Sequence, residues 1–305
     1  MSIRVAAVAD APAPQQVRVR GANHRLLDQA RSRPLAVIAF VVILAVILIA
    51  ILADVISPHD AFRSYSGQTR ALPGTIAPNG VPFVLGADET GRDILSRLIH
   101  GARVSLWVGM LSVFVGTVGG TIFGVLSGFR GGRLDLIIQR LMDSAQAIPS
   151  LILALLLMAV LGASLTNVIV AIGIVQIPYT NRVVRSAVLS LKQDVYVEAA
   201  RAIGASDIGI MVRHILPNVM APIIIIATSG LGGAILTEAY LSFLGLGAPP
   251  PTPSWGGMVS IARQYMLTDP HLMLAPAVAL SITVLGWNLA GDALRDILDP
   301  RLRRR

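Results

Sequence analysis

"LAVIAFVVILAVILIAILA", residues 35–53, is 19 consecutive residues without one polar side chain. Coiled as a helix at about 1.5 Å per residue it reaches roughly 28 Å, close to the hydrocarbon thickness of a bilayer. A signal peptide has an apolar core of roughly 7–15 residues and sits at the very start of a chain. This run is longer, begins only at position 35 and is followed by others, so it reads as an uncleaved first span.

Five further apolar segments lie at about 104–128, 136–161, 165–184, 219–246 and 274–289. With 54% of the residues hydrophobic and only 14% charged, against about a quarter charged in a soluble domain, the expected fold class is an all-α polytopic membrane protein with six transmembrane helices. Six crossings put both termini on one side. Placing them in the cytoplasm leaves 19 of the 25 Lys and Arg residues inside and 6 outside, as the positive-inside rule favours. The formal charge of +8 therefore answers to a lipid bilayer and not to nucleic acid. The expected division is a cytoplasmic tail (1–34), the first helix (35–56), an external loop (57–102), a five-helix membrane domain (103–294) with a cytoplasmic loop at 190–217, and a basic cytoplasmic tail (295–305).

In the second span Gly116, Gly120, Gly124 and Gly128 recur every four residues. Small residues at that interval line one helix face, where a neighbouring backbone can approach closely. Packing within the chain and packing against a second subunit are both open readings.

The chemistry absent from the chain is informative. Its single lysine, Lys192, is followed by Gln, so there is no G-x-x-x-x-G-K-[ST] phosphate loop, and neither H-E-x-x-H nor G-x-S-x-G occurs. Cysteine is absent and the five histidines are scattered, which argues against a metal site. The chain is expected to hold no cofactor and to be no enzyme by itself. Ion-coupled transport would leave carboxylates deep in the spans. Asp143, Glu238 and Asp292 lie near span ends instead, which is weaker evidence for a proton relay.

Between the fourth and fifth spans stands "EAARAIGASDIGIMVRHILPN", residues 198–218. Asp194 suits the N-cap of a short helix running to Ile203, Gly204 suits a left-handed turn, and Ser206 suits the cap of a second short helix. Glu198-Ala199-Ala200, then Gly204, then Leu216-Pro217 resembles the EAA signature of bacterial ABC importer permeases, with His214 where the general pattern has an apolar residue. "LGADETGRDILSRLIHGARVSL" (85–106), "GFRGGRLDLIIQRLMDSAQAIPSL" (128–151), "EAYLSFLGLGAPPPTPSWGGM" (238–258) and "LGWNLAGDALRDILDPRL" (285–302) are similar, in the same order, to the dipeptide, oligopeptide and nickel branch of that family.

The resemblance implies a type I importer permease fold in the bacterial inner membrane. It further implies a second, sibling permease subunit, two ATPase subunits that carry ATP and Mg, and an extracytoplasmic substrate-binding protein. Glu198, Ala199, Ala200, Arg201, Gly204 and Asp207 become ATPase-coupling residues on a helix seated in the ATPase, and the expected cargo is a di- or oligopeptide. Nickel or another small solute is the alternative, and an ion-coupled transporter or channel acting alone is a third reading.

For a pathway, Arg140, Asp143 and Gln146 share part of one face ahead of Pro149, Gln176 and Asn181 flank Pro178, and Glu238 is an apolar-span carboxylate. Hydrogen bonding between helices, or snorkelling at the inner interface, would also explain each of them. Trp255, in the proline-shaped stretch "GAPPPTPSWGG", is expected at headgroup level or in contact with the binding protein.

Overall fold

The computed structural model describes residues 34–298, so the expected tail at 1–34 lies outside the described residues but for Pro34, and that at 295–305 is described only to 298, where the last helix continues into it. The principal helices are α1 (Pro34–Ile51), α2 (Ile94–Arg130), α3 (Gly132–Gln146), α4 (Ser150–Leu161), α5 (Leu165–Leu191), α6 (Val195–Ala202), α7 (Met220–Phe243), α8 (Trp255–Ala262) and α9 (His271–Leu298). No strand of regular sheet occurs among the described residues; two isolated bridges, Ile76 with Pro82 and Ala87 with Asp93, shape the loop before α2.

Five helices, α1, α2, α5, α7 and α9, are long and apolar enough to cross a bilayer alone. The segment expected as one span at 136–161 is instead the pair α3 and α4, bent by 93°. Pro149 gives the reason: it lacks an N–H for the helix ladder, and it pushes Ile148 out of helical geometry. The halves also differ chemically, since α3 carries Arg133, Asp135, Gln139, Arg140, Asp143 and Gln146, while α4 is wholly apolar after Ser150.

Contacts along the helices set their directions. On α2, Gly116, Gly124 and Gly128 meet Gln176, Val184 and Val188 of α5 in ascending order, so α2 and α5 run parallel. The bent pair between them therefore returns the chain across once, for six crossings in all. The α7 and α9 helices run antiparallel, Gly232 lying against Asn288 and Gly291 against Ser229. Residues 34 and 298 end on the same side of the bundle.

The glycine face explains why α2 and α5 pack so closely. A Cβ on Gly116 would stand 2.7 Å from Gln176 Cβ and 2.9 Å from the Gly173 carbonyl, and one on Gly124 would stand 2.8 Å from Val184 Cβ. A Cβ on Gly128 would stand 3.0 Å from Val188 Cβ, and one on Gly120 would run into Thr180 Cβ and the Ile177 carbonyl. Of the two open readings, the face is occupied by the chain's own α5.

At 37 residues, roughly 55 Å, α2 outruns the hydrocarbon layer, and its first turns stand in the polar subdomain 57–93. Asp93 caps it, accepting from the Ser96 N–H at 2.8 Å. Asp88 ties the approach together: one oxygen accepts from the Thr90 and Arg92 N–H groups, and the other lies 3.2 Å from Nε of buried Arg97. Arg97 also donates to the carbonyls of Ala61 and Pro251 at 3.3 Å, joining the subdomain to the loop before α8.

Trp255 departs from the expectation of a headgroup or partner-facing ring. It is buried, its indole N–H donates to the Leu98 carbonyl at 2.9 Å, and its ring fills the space left by Gly101. An indole that finds both a slot and an acceptor inside the protein gains more there than at the interface.

Candidate functional site

Two features of the bundle have the form of working surfaces. The first is the connection between α5 and α7. Asp194 stands at the start of α6 in extended geometry, and its side chain makes no capping bond; its carbonyl accepts from the Val197 N–H at 2.9 Å. Ile203 follows the end of α6, and Gly204 turns the chain at φ +82°, a conformation that side-chain-bearing residues rarely adopt. The Ala205 N–H then reaches back to the Ala200 carbonyl at 3.0 Å, and Ser206 caps the next turn by accepting from the Gly209 N–H at 3.2 Å.

This connection is anchored on one side and open on the other. Val197 and Ala200 are buried in one core with Phe129 of α2, Val184 and Val188 of α5, and Ile210, Met211 and Ile215. Arg201 lies over the Phe129 ring at 5.1 Å. Lys192 donates to the Gly128 carbonyl at 2.9 Å, which satisfies one of the orphan acceptors at the end of α2. Facing outward are Glu198, Ala199, Gly204 and Asp207, together with Val195, 81% exposed, and Ile203, 86% exposed. The Glu198 and Asp207 side chains take no hydrogen-bond or ion-pair partner among the described residues. Of the six residues assigned to this site, Ala200 differs in facing the protein core.

The second feature is a groove of about 740 Å³ between α5, α7 and α9, with Ser150 at the head of α4. Besides Ser150, its polar groups are Gln176 and Tyr179 of α5, Ser229 and Thr237 of α7, and Asp292 and Arg295 of α9; the rest of its wall is aliphatic, proline or glycine. The size suits a small solute, whose pockets typically enclose about 300–1,000 Å³.

Of the six residues considered for a pathway, Gln176 lines this groove. Asn181 is buried and donates to Gln139 at 3.3 Å, so it joins α5 to α3. Asp143 pairs with Arg182 at 3.4 Å across two exposed side chains, and Arg140 and Gln146 are exposed on α3 outside the groove. Glu238 is fully buried, accepts from the Ser242 hydroxyl at 2.6 Å and is not part of the groove lining. Ser229, Thr237 and Arg295 escaped sequence reasoning, and Asp292 registered only as a shallow carboxylate. For Ser229 and Thr237 the available signal was hydroxyls set inside the apolar stretch "IIIIATSGLGGAILTEAY". Among the described residues no group of three or more His, Asp or Glu side chains is placed to hold a metal ion.

Comparison with known proteins matches residues 120–304 to the family described as binding-protein-dependent transport system inner membrane component. Residues 25–73 match the N-terminal TM domain of oligopeptide transport permease C. The chain is 41% identical over 300 residues to the glutathione transport system permease protein GsiD of Escherichia coli O6:K15:H31 (strain 536 / UPEC), covering 98% of this chain and 97% of that one. It is also 41% identical to the dipeptide transport system permease protein DppC of Alkalihalophilus pseudofirmus, covering 90% and 88%. Among solved structures, an inward-facing MetNI methionine ABC transporter chain superposes with a TM-score of 0.55 at 24% identity, covering 68% of this chain and 98% of that chain.

Proposed function

The chain belongs to the binding-protein-dependent transport system inner membrane components, and from that premise we propose that it forms one half of the pathway of an ATP-driven peptide importer. It is a multi-pass inner-membrane permease, a transport subunit and not an enzyme. The finer reading adds a sibling permease subunit, two ATPase subunits that carry ATP and Mg, and a substrate-binding protein outside, with both termini in the cytoplasm.

The observation that carries this reading is the connection 192–219. It is fixed to α2, α5 and α7 at its back and presents unpartnered Glu198, Val195 and Ile203 at its front. Buried anchors make it stiff, so a push on its front moves the helices behind it. Exposed aliphatic side chains with a carboxylate between them suit insertion into a cleft of another protein, where Glu198 would accept charge-assisted hydrogen bonds. An ATPase dimer that closes on ATP would thereby rock the bundle between inward and outward openings.

Peptide cargo is supported by the relatives, which are named as glutathione and dipeptide permeases, and by the groove. Amide and hydroxyl groups at Gln176, Ser229 and Thr237 on an otherwise aliphatic wall can exchange hydrogen bonds with a peptide backbone without holding it tightly. Selectivity would then rest largely with the binding protein.

The test is substitution at the front of the connection. Glu198→Lys and Gly204→Val should leave membrane insertion intact and cut uptake at least tenfold while ATP hydrolysis by the assembled complex persists. Undiminished uptake by both variants would refute the coupling role.

A further inference from the structure

Asp292 and Arg295 stand apart from the rest of the groove. They are its only charged residues, they lie one turn apart on α9, and both are exposed. Neither takes an ion-pair or hydrogen-bond partner among the described residues. The antiparallel register places them beyond the Gly291–Ser229 contact, level with Pro222 and Ile225 near the start of α7. They therefore occupy the end of the groove, while its middle is uncharged. Asp296, next to Arg295 on α9, is outside the groove lining and has a partner of its own, and Asp143 and Arg182 pair with each other. The other groups lining the groove are neutral.

We infer that Asp292 and Arg295 form an ionic latch with a second permease subunit, closing the inner mouth of the pathway. This rests on the permease reading above. Asp292 and Arg295, the acid and the base that line the groove from one helix, are self-complementary: related by a two-fold axis, each meets the opposite charge of its image. A sibling subunit with a similar last helix presents that image.

Energetics make the pair state-dependent. While the groove is open, both groups are hydrated and need no partner. When the mouth closes, water leaves, and an unpaired charge in the membrane plane becomes costly. Closure is then favourable only with the charges matched across the subunit boundary, so the pair contributes to one state and not to the other. Cargo recognition would instead place charge beside Gln176 and Ser229, where a solute is enclosed.

The absence of cysteine from the chain makes the test direct. In the complete reconstituted transporter, Asp292→Cys is paired with one cysteine at the corresponding position of the sibling's last helix. Disulfide formation should rise at least fivefold when a non-hydrolysable ATP analogue is bound, compared with the nucleotide-free complex. In a second arm, Asp292→Asn and Arg295→Gln should each lower uptake and cargo-stimulated ATP turnover together, by about five- to tenfold, with the cargo KM within twofold of the parent. Equal crosslinking in both states, or none, would overturn the latch. A KM rise that depends on whether the peptide's amino or carboxyl terminus is blocked would also overturn it and make the two residues cargo contacts. If the unaltered complex takes up no peptide with ATP, the permease reading has failed, and not the latch alone.

Discussion

Replacing Gly120 with alanine tests how α2 and α5 are held together. An added Cβ would lie 2.8 Å from the Ile177 carbonyl oxygen and closer still to Thr180 Cβ, where ordinary contact requires about 3.4–4 Å. The carbonyl belongs to helix backbone and cannot rotate aside, so the two helices must separate by several tenths of an ångström. Separation at one point also loosens the contacts at Gly116 and Gly124, which lie one turn away on the same face. Overpacking of this kind costs about 1–3 kcal/mol, and the helix-propensity gain of alanine over glycine returns at most about 1 kcal/mol. A net loss near 1–2 kcal/mol is expected. Gly233 on α7 is the internal control, because a Cβ there meets nothing within 4 Å and alanine should be neutral or mildly stabilising. The assay is thermal unfolding of the purified protein in detergent, with both variants beside the parent. If Gly120→Ala melts with the parent, or if both variants shift equally, the close approach of α2 to α5 is not what the structure describes.

Two further outcomes follow from the side of the bundle that carries the loop 57–93. Arg103 donates to the Ala50 carbonyl at 2.9 Å and the Ile51 carbonyl at 3.3 Å, and pairs with exposed Asp54, so it holds the end of the weakly buried α1. Arg103→Gln should cost about 1–2 kcal/mol through the lost carbonyl bonds, whereas Asp54→Asn should have the smaller effect; a larger effect from Asp54→Asn in the same melting assay would contradict this assignment. Burial, and then the neighbouring Asp88 charge, push the Glu89 carboxyl above its ordinary range. A carboxyl raised on folding favours the folded state least once it must ionise, so its penalty appears as pH rises from the unfolded value of 4.5 through the raised one. Glu89→Gln should therefore raise the melting temperature at pH 7 and leave it unchanged near pH 4, and equal shifts at both pH values would refute the cause.

How much of this was legible in the sequence depended on the length of the signal. Uninterrupted apolar runs such as 35–53 and the four-residue glycine spacing are properties of long segments, and both reappear as helices and as the α2–α5 contact. The connection after Asp194 was legible for a different reason, because Gly204 and Ser206 have backbone preferences that act within three residues. The 93° bend was hidden, since an apolar segment read from 136 to 161 averages over the break at Pro149. Trp255 was misplaced because a preference for the membrane interface says nothing of a slot left by Gly101 or of the Leu98 carbonyl that accepts the indole N–H. The groove was the least legible feature. Helical periodicity shows which residues share a face, and Asn181 and Gln176 are both polar residues near Pro178, yet one is buried against α3 and the other faces open space. That difference is set by helices from elsewhere in the chain.

The central claim is that this chain is a passive half-channel moved by a separate motor. Liposomes carrying the permease pair, loaded with peptide-binding protein outside and tested with and without the ATPase subunits, measure it most directly. The account predicts that labelled dipeptide accumulates only when the ATPase subunits and ATP are both present, and that a proton or sodium gradient cannot replace them. Uphill accumulation driven by an ion gradient, with no ATPase subunit in the vesicle, would contradict it.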